Sequence, residues 1–292
     1  MIRILLTEID DCLGNAFDDY IKDTCIKEIC VDRVFLQDDA YLDADWTGYD
    51  AVIHAARVVV PIEKDNVEHE ALQCYSINHD LSVKVADKAK ASAIKRFVYL
   101  STMMVYGESA PIGRSFVIRE NTVPEPISSY GKSMLAAEED IAQIASDSFQ
   151  VIILREPVVY GEHFNGEFYK LHRIARILPI FPMINSAKSY IYERNLCELL
   201  KLMAIDGSSG VYCPQNREIV TTSELFRQMR YSYGKKCLLV KGLDSILSIM
   251  SHITRYVNAT FNDMNYESGL SDIPGMDYQV YSLEESILRC LK

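Results

Sequence analysis

The sequence has no CxxC or CxxxC pair, no cysteine set with histidine at zinc-ligand spacing, no apolar run approaching 20 residues, and no excess of basic charge. Each absence removes a class. The eight cysteines (Cys12, Cys25, Cys30, Cys74, Cys197, Cys213, Cys237 and Cys290) lie mostly within apolar runs, which reads as reduced core thiols in a cytoplasmic protein and gives no reason to expect a metal site. With neither a long apolar stretch nor a leader ending in small residues, a membrane helix and a signal peptide are both unexpected. Thirty Lys and Arg stand against 41 Asp and Glu, a net charge of −11. Such a chain repels phosphate backbones and anionic lipid, so nucleic acid and membrane are not expected partners, and any phosphate-bearing ligand must be held by local donors. No internal repeat, low-complexity tract or flexible linker is visible.

What is present is an ordinary globular balance over 292 residues, 49% hydrophobic and 24% charged, enough for one large α/β domain with a smaller lobe. Short β-branched runs at 2–6, 29–31, 51–54, 97–101 and 151–154 alternate with helical patterns at 14–22, 71–92 and from about 130 onward. That pitch predicts a doubly wound parallel sheet with helices on both faces. Regular alternation ends near Gly161, where Pro157, Pro179, Pro182 and Pro214 break the chain into shorter pieces. We therefore expect a first domain over 1–160 and a lobe over 161–292 woven into it. The stretch 242–257 carries apolar residues at helical spacing, which reads as core packing or a partner surface.

Four segments in order carry a resemblance: ILLTEIDDCLG (4–14), DAVIHAARV (50–58), RFVYLSTMMVYGE (96–108) with ENTVPEPISSYGKSMLAAE (120–138), and LREPVVYGE (154–162). Together they resemble the extended short-chain dehydrogenase/reductase family, and within it the NAD-dependent nucleotide-sugar epimerases and dehydratases of the UDP-glucose 4-epimerase type. The resemblance implies a Rossmann-like fold of about seven parallel strands, an NAD(P) cofactor, a UDP- or dTDP-hexose as substrate, a role in surface-polysaccharide precursor synthesis, and a homodimer formed through the helices at 70–92 and 133–146.

The family opens on T-G-x-x-G-x-x-G, whose first glycine makes the tight turn, whose second lets backbone approach the pyrophosphate, and whose third lets helix and strand pack. Here Thr7 matches, the glycine positions are Glu8, Asp11 and Gly14, and only the packing glycine remains. A carboxylate 5 Å from a phosphate costs roughly 3 kcal/mol per pair at an effective dielectric of about 20, so the resemblance implies weak or lost NAD(P) binding. The acidic turn is either solvated or recruits a cation. Asp32 falls where the family places an acidic residue on the adenosine ribose, and reads equally as a strand-end turn residue.

For proton transfer the family uses a Ser or Thr, a Tyr, and a Lys four residues later that lowers the phenol pKa and holds the nicotinamide ribose. Thr102 and Tyr130 match; the lysine position is Met134, which carries no charge and no donor. Lys132 lies about 200° around a helix from that face and does not replace it. His54 ends the strand that borders the cofactor in the family. Asn78, Tyr106 and Lys188 fall on positions resembling its substrate contacts, Arg155 reads as an ion-pair partner, and Arg173, Arg176, Lys188 and Arg194 are candidates for a diphosphate clamp. Arg194 also falls where the family usually begins a helix with an acidic residue. Two readings stay open: an epimerase/dehydratase impaired in cofactor binding and proton transfer, or an inactive relative serving as a sugar-nucleotide-binding or partner subunit.

Overall fold

A computed structural model describes residues 1–24, 27–59, 67–164, 166–253, 257 and 260–290. Six parallel strands form the main sheet: β1 (Ile2–Glu8), β2 (Ile29–Phe35), β3 (Ala51–His54), β4 (Arg96–Thr102), β5 (Gln150–Glu156) and β6 (Gly210–Tyr212). Their spatial order is β6-β5-β4-β3-β1-β2. The sheet is thus parallel and doubly wound, with six strands among the described residues where about seven were expected.

Strand parity explains the two covered faces. Ile4, Leu6, Ala51, Ile53, Val98, Leu100, Ile152 and Leu154 enter one core cluster, while the intervening Leu5, Val52, Phe97, Tyr99, Val151 and Ile153 enter another. Every central strand is apolar on both sides because each side meets helices. The first face is covered by α1 (Cys12–Asp23) through Leu13, Ala16 and Phe17 and by a helix from the second half of the chain. On the second face a long helical run passes from α2 (Val67–Tyr75) through a π-helical turn, Ser76–Leu81, into α3 (Ser82–Ala91). There it lies beside α4 (Ser129–Gln143), which buries Met134, Ala137 and Ile141.

Beyond residue 161 the chain builds a third cluster from α5 (Glu167–Ile177), α7 (Thr222–Ser232) and α9 (Leu283–Cys290), with Leu247 of α8 (Asp244–Ile253) beside them. It also returns to the main sheet. Between α5 and α7, α6 (Glu193–Asp206) supplies Leu196, Leu199, Leu200 and Met203 to the first face, and β6 adds the last strand. Short parallel pairs knit the two parts together: 158–160 with 190–192, and 117–118 with 265–266. Among the described residues no helix is long and apolar enough to cross a membrane, and no cluster of three metal-ligating side chains occurs. Seven cysteines are free thiols, and Cys25 lies outside the described residues.

Candidate functional site

In an open parallel sheet, ligands bind beyond the carboxyl ends of the strands where the order reverses, because neighbouring loops there diverge and leave a crevice. Here the reversal falls between β1 and β3. A cavity of about 230 Å³ opens at that point, lined by Glu8, Asp10 and Cys12 of the first turn, Arg57 after β3, and Glu156 at the end of β5.

Glu8 is buried, and both of its carboxylate oxygens are engaged. Oε2 accepts the Gly14 backbone N–H at 3.1 Å, and Oε1 accepts Arg33 Nε at 2.6 Å. The same guanidinium donates to Asn15 and lies 3.2 Å from Asp18, both on α1. Strand parity places it there: Arg33 pairs in register with Leu6, which faces α1, whereas Asp32 pairs with Leu5 on the opposite face. Asp32 accordingly turns away from the crevice, bonding Tyr49 at 2.7 Å and Arg3 at 3.2 Å, and these partners hold its carboxyl below the usual range. Burial raises the pKa of Glu8 against the opposing pull of Arg33. Asp11 is exposed at the N-terminus of α1, and Asp10 accepts the Cys12 N–H at 3.1 Å.

A pyrophosphate at a helix N-terminus needs free N–H groups and closely approaching backbone. At α1 the Cys12 and Gly14 N–H groups are already bonded to the chain's own carboxylates, and three acidic residues surround the turn. A Cβ on Gly14 would lie 2.4 Å from the Arg33 guanidinium, so the remaining glycine makes room for that side chain. Two of the N–H donors at the start of α1 are thus taken by the chain's own carboxylates.

The other end of the crevice holds a second ion pair, Arg57 with Glu156, largely buried. Arg57 Nη1 and Glu156 Oε2 have no hydrogen-bond partner among the described residues. Tyr130 stands beside this pair. Gly131 brings α4 against the Met103–Tyr106 turn, where a Cβ would lie 2.7 Å from the Met104 carbonyl, and Ser128 caps the helix by accepting the Gly131 N–H. This approach sets Tyr130, at the start of α4, near Thr102 at the end of β4. Burial raises the pKa of Tyr130, and the Arg57 charge and the nearby Thr102 hydroxyl only partly oppose that rise. Met134 is fully buried, and its sulfur accepts the Tyr99 hydroxyl at 3.4 Å. The cation facing the phenol is therefore Arg57, already neutralised by Glu156.

Other sequence candidates serve the scaffold. His54 is fully buried, bridges Thr7 at 2.8 Å and Ser82 at 2.9 Å, and is held neutral by burial, its pKa pushed down to about 3. Asn78 clasps the Val58 backbone at both N–H and carbonyl and donates to Ser133. Tyr106 accepts from Arg155, which grips Glu138 with two nitrogens. Lys188 pairs with Glu167 at 2.7 Å and Arg194 with Asp23 at 2.7 Å, while Arg173 and Arg176 are exposed on α5. Lys188 and Arg194 are thus each held by a carboxylate of the chain itself. Helix α6 does begin on an acidic residue, one place earlier than the motif alignment put it: Glu193 accepts the His163 N–H at 3.0 Å, and Arg194 follows it.

Sequence reasoning missed Arg33, Arg57 and Glu156. Period-two parity from Leu6 would have placed Arg33 against the first turn. Arg57 lies three residues beyond β3 and Glu156 is the last residue of β5, and a charge at the carboxyl edge of a parallel sheet belongs to the crevice.

A model of the NAD dependent epimerase/dehydratase family matches residues 27–183, just over half of the chain, beginning after the first turn. UDP-glucose 4-epimerase of Vibrio cholerae is 31% identical over 193 residues, 63% of this chain and 57% of that protein, so the chain spans little more than half of that relative's length. Among solved structures, UDP-N-acetylglucosamine 4-epimerase from Bacillus cereus superposes with a TM-score of 0.74 at 16% identity, covering 99% of this chain and 98% of that one. UDP-glucuronic acid 4-epimerase from Bacillus cereus, in complex with NAD, gives a TM-score of 0.68 at 15% identity over 99% of each chain.

Proposed function

The chain belongs to the NAD-dependent epimerase/dehydratase family, and on that premise we propose that it is a nucleotide-sugar protein in which dinucleotide binding and proton transfer are impaired. The observation that carries this reading is the Glu8 carboxylate on the Gly14 N–H, backed by Arg33: the chain's own anion takes the donor that a pyrophosphate would use. Two further observations support it. The Tyr130 pKa is raised rather than lowered, and Met134 leaves its neighbourhood without a free ammonium group. Thr102 and Tyr130 are the proposed remnants of the family's proton-transfer set, and Asn78, Tyr106 and Lys188 are engaged within the protein.

A UDP- or dTDP-hexose of surface-polysaccharide synthesis is the proposed ligand, by likeness to relatives named for UDP-sugars. Assembly as a homodimer in the cytoplasm completes the reading. It is supported by Leu72 and Tyr75 exposed on α2, and by Val123 and Ile127 exposed just before α4.

Calorimetric titration with NAD⁺ and NADPH tests the proposal. The unmodified chain should bind weakly or not at all, and Glu8→Gly with Asp11→Gly should tighten binding at least tenfold, because it frees the Gly14 N–H and removes two carboxylates from the turn. Tight binding by the unmodified chain with no change in the variant overturns the reading. So does robust turnover of a UDP- or dTDP-hexose by the unmodified chain that Tyr130→Phe abolishes.

A further inference from the structure

The net charge of −11 is not spread evenly. Residues 168–191 and 233–260 hold eight Lys and Arg and a single acidic residue, Asp244, which leaves 22 basic against 40 acidic residues in the rest of the chain. The fold brings these two segments together. The strand at 180–182 pairs in parallel with 238–240, Lys235 Nζ donates to the Arg176 carbonyl at 2.8 Å, the Met183 N–H donates to the Val240 carbonyl, and Leu247 of α8 shares a core cluster with Phe181.

Their outer surface is apolar as well as basic. Ile180 and Leu238 are register partners and more than half exposed, at 53% and 60%; Ile177, just before them, is 76% exposed. On α8, Ile246, Ile249 and Met250 fall at i, i+3 and i+4 and so share one face, 56%, 66% and 41% exposed, while Leu247 turns inward. Arg173 and Arg176 on α5, Lys235 and Lys236 before the 238–240 strand, and Lys241 directly after it are exposed. A soluble surface rarely gathers this many large apolar residues in one place, and the positive charge of these two segments is the opposite of the charge on the rest of the molecule.

We propose that this lobe tip, formed by α8, the end of α5 and the 180–182/238–240 strand pair, docks on the surface of an anionic lipid bilayer. Apolar side chains on a helix face enter the headgroup boundary, and Lys and Arg beside them lie at the level of the lipid phosphates, their stems along the apolar surface. The acidic remainder of the protein is repelled by the same surface, so the tip alone faces it and the molecule is oriented. None of the cavities at the strand ends takes part, and the contact is peripheral rather than spanning.

Flotation of the full chain with vesicles tests this. Phosphatidylcholine vesicles should carry little protein; vesicles in which roughly a third of the lipid is phosphatidylglycerol should carry it, and the bound fraction should fall as salt rises through the range where the Debye length drops below about 10 Å. Ile246→Asp with Ile249→Asp should abolish flotation. Lys235→Glu with Lys236→Glu and Lys241→Glu should weaken it at least tenfold. All five positions are exposed, so an unchanged thermal unfolding curve verifies that each variant is folded. Failure of the unmodified chain to float with anionic vesicles, or flotation indifferent to both sets of substitutions, overturns the proposal. An acidic protein partner for the tip would give that first result. Neither outcome bears on the nucleotide-sugar reading, which rests on the crevice at the strand ends.

Discussion

The two ends of the crevice are each closed by an ion pair, and the pairs differ in how completely they are satisfied. At the β1–α1 end, Glu8 has both oxygens bonded, and Arg33 spreads Nε and Nη1 over Glu8, Asn15 and Asp18, with only Nη2 left without a partner among the described residues. At the β3–β5 end, Arg57 and Glu156 hold one another while Nη1 and Oε2 remain without a partner among the described residues. The first pair is a repair: a carboxylate stands where a ligand anion would otherwise meet the helix. The second is a plug whose buried charges depend on each other. Buried pairs contribute little net stability as pairs, yet removing one member strands the other in a low-dielectric site.

The largest expected effect follows from that dependence. Arg57→Ala leaves the Glu156 carboxylate buried and alone and should cost about 3 kcal/mol, the low end of the range because Arg57 keeps some solvent contact. Glu8→Ala should cost less, about 1–2 kcal/mol, since Arg33 retains Asn15 and Asp18. Replacing both plug residues, Arg57→Met with Glu156→Leu, should return stability to near that of the unmodified chain. Urea unfolding of the four proteins reads all three values. Equal costs for Arg57→Ala and Glu8→Ala would erase the distinction between the two ends.

Much of this was legible in the sequence, and the illegible part has a physical cause. The sheet, its two covered faces and its parallel order follow from apolar runs whose parity repeats strand after strand, and Tyr130 and Met134, singled out by the family resemblance, do lie one turn apart on α4. The ion pairs were not found because their members lie far apart in sequence: 25 residues separate Glu8 from Arg33 and 99 separate Arg57 from Glu156. Taken alone, Glu8 and Asp11 look like two equivalent anions at one turn. In the fold one is buried and bonded to its own cation, the other is in solvent, and only the register of β1 with β2 decides which is which.

Between the two ends, His54 joins β3 to β1 through Thr7 and carries no charge, so acid probes this wall separately from the pairs. Its ordinary pKa is 6.5, and in the folded protein burial pushes it down to about 3. Below pH 6.5 the unfolded chain takes up a proton that the folded chain refuses, so this contribution to stability is whole above 6.5 and is lost as pH falls toward 3. The slope is about 1.4 kcal/mol per pH unit, near 2 kcal/mol by pH 5. Glu8 and Glu156, whose pKa values are raised, act with the opposite sign: their folded carboxyls take up protons first, so acidification favours folding over their own window. The difference between the unmodified chain and His54→Gln isolates the histidine. A difference in stability that does not change between pH 7.5 and pH 5 would mean that His54 is not held neutral.

The smallest effect is the most specific to the repaired end. Gly14→Ala places a methyl 2.4 Å from the Arg33 guanidinium, which is the far end of a flexible side chain and so moves aside rather than blocking the fold. Moving it stretches the bond to Glu8, and overpacking of this kind costs about 1 kcal/mol. Within α1, however, Ala is a better helix former than Gly by about 0.8–1 kcal/mol. Two opposed terms of similar size meet at one atom, and Arg33 carries only one of them. With Arg33→Ala already made, the clash is gone and Gly14→Ala should stabilise by about 0.5–1 kcal/mol, while on the native background it should be neutral or mildly destabilising. A double-mutant cycle in urea therefore predicts a coupling of about 1 kcal/mol between positions 14 and 33. If Gly14→Ala has the same effect on both backgrounds, the glycine is not keeping space for Arg33, and the first turn must instead be holding its backbone open for something outside the chain.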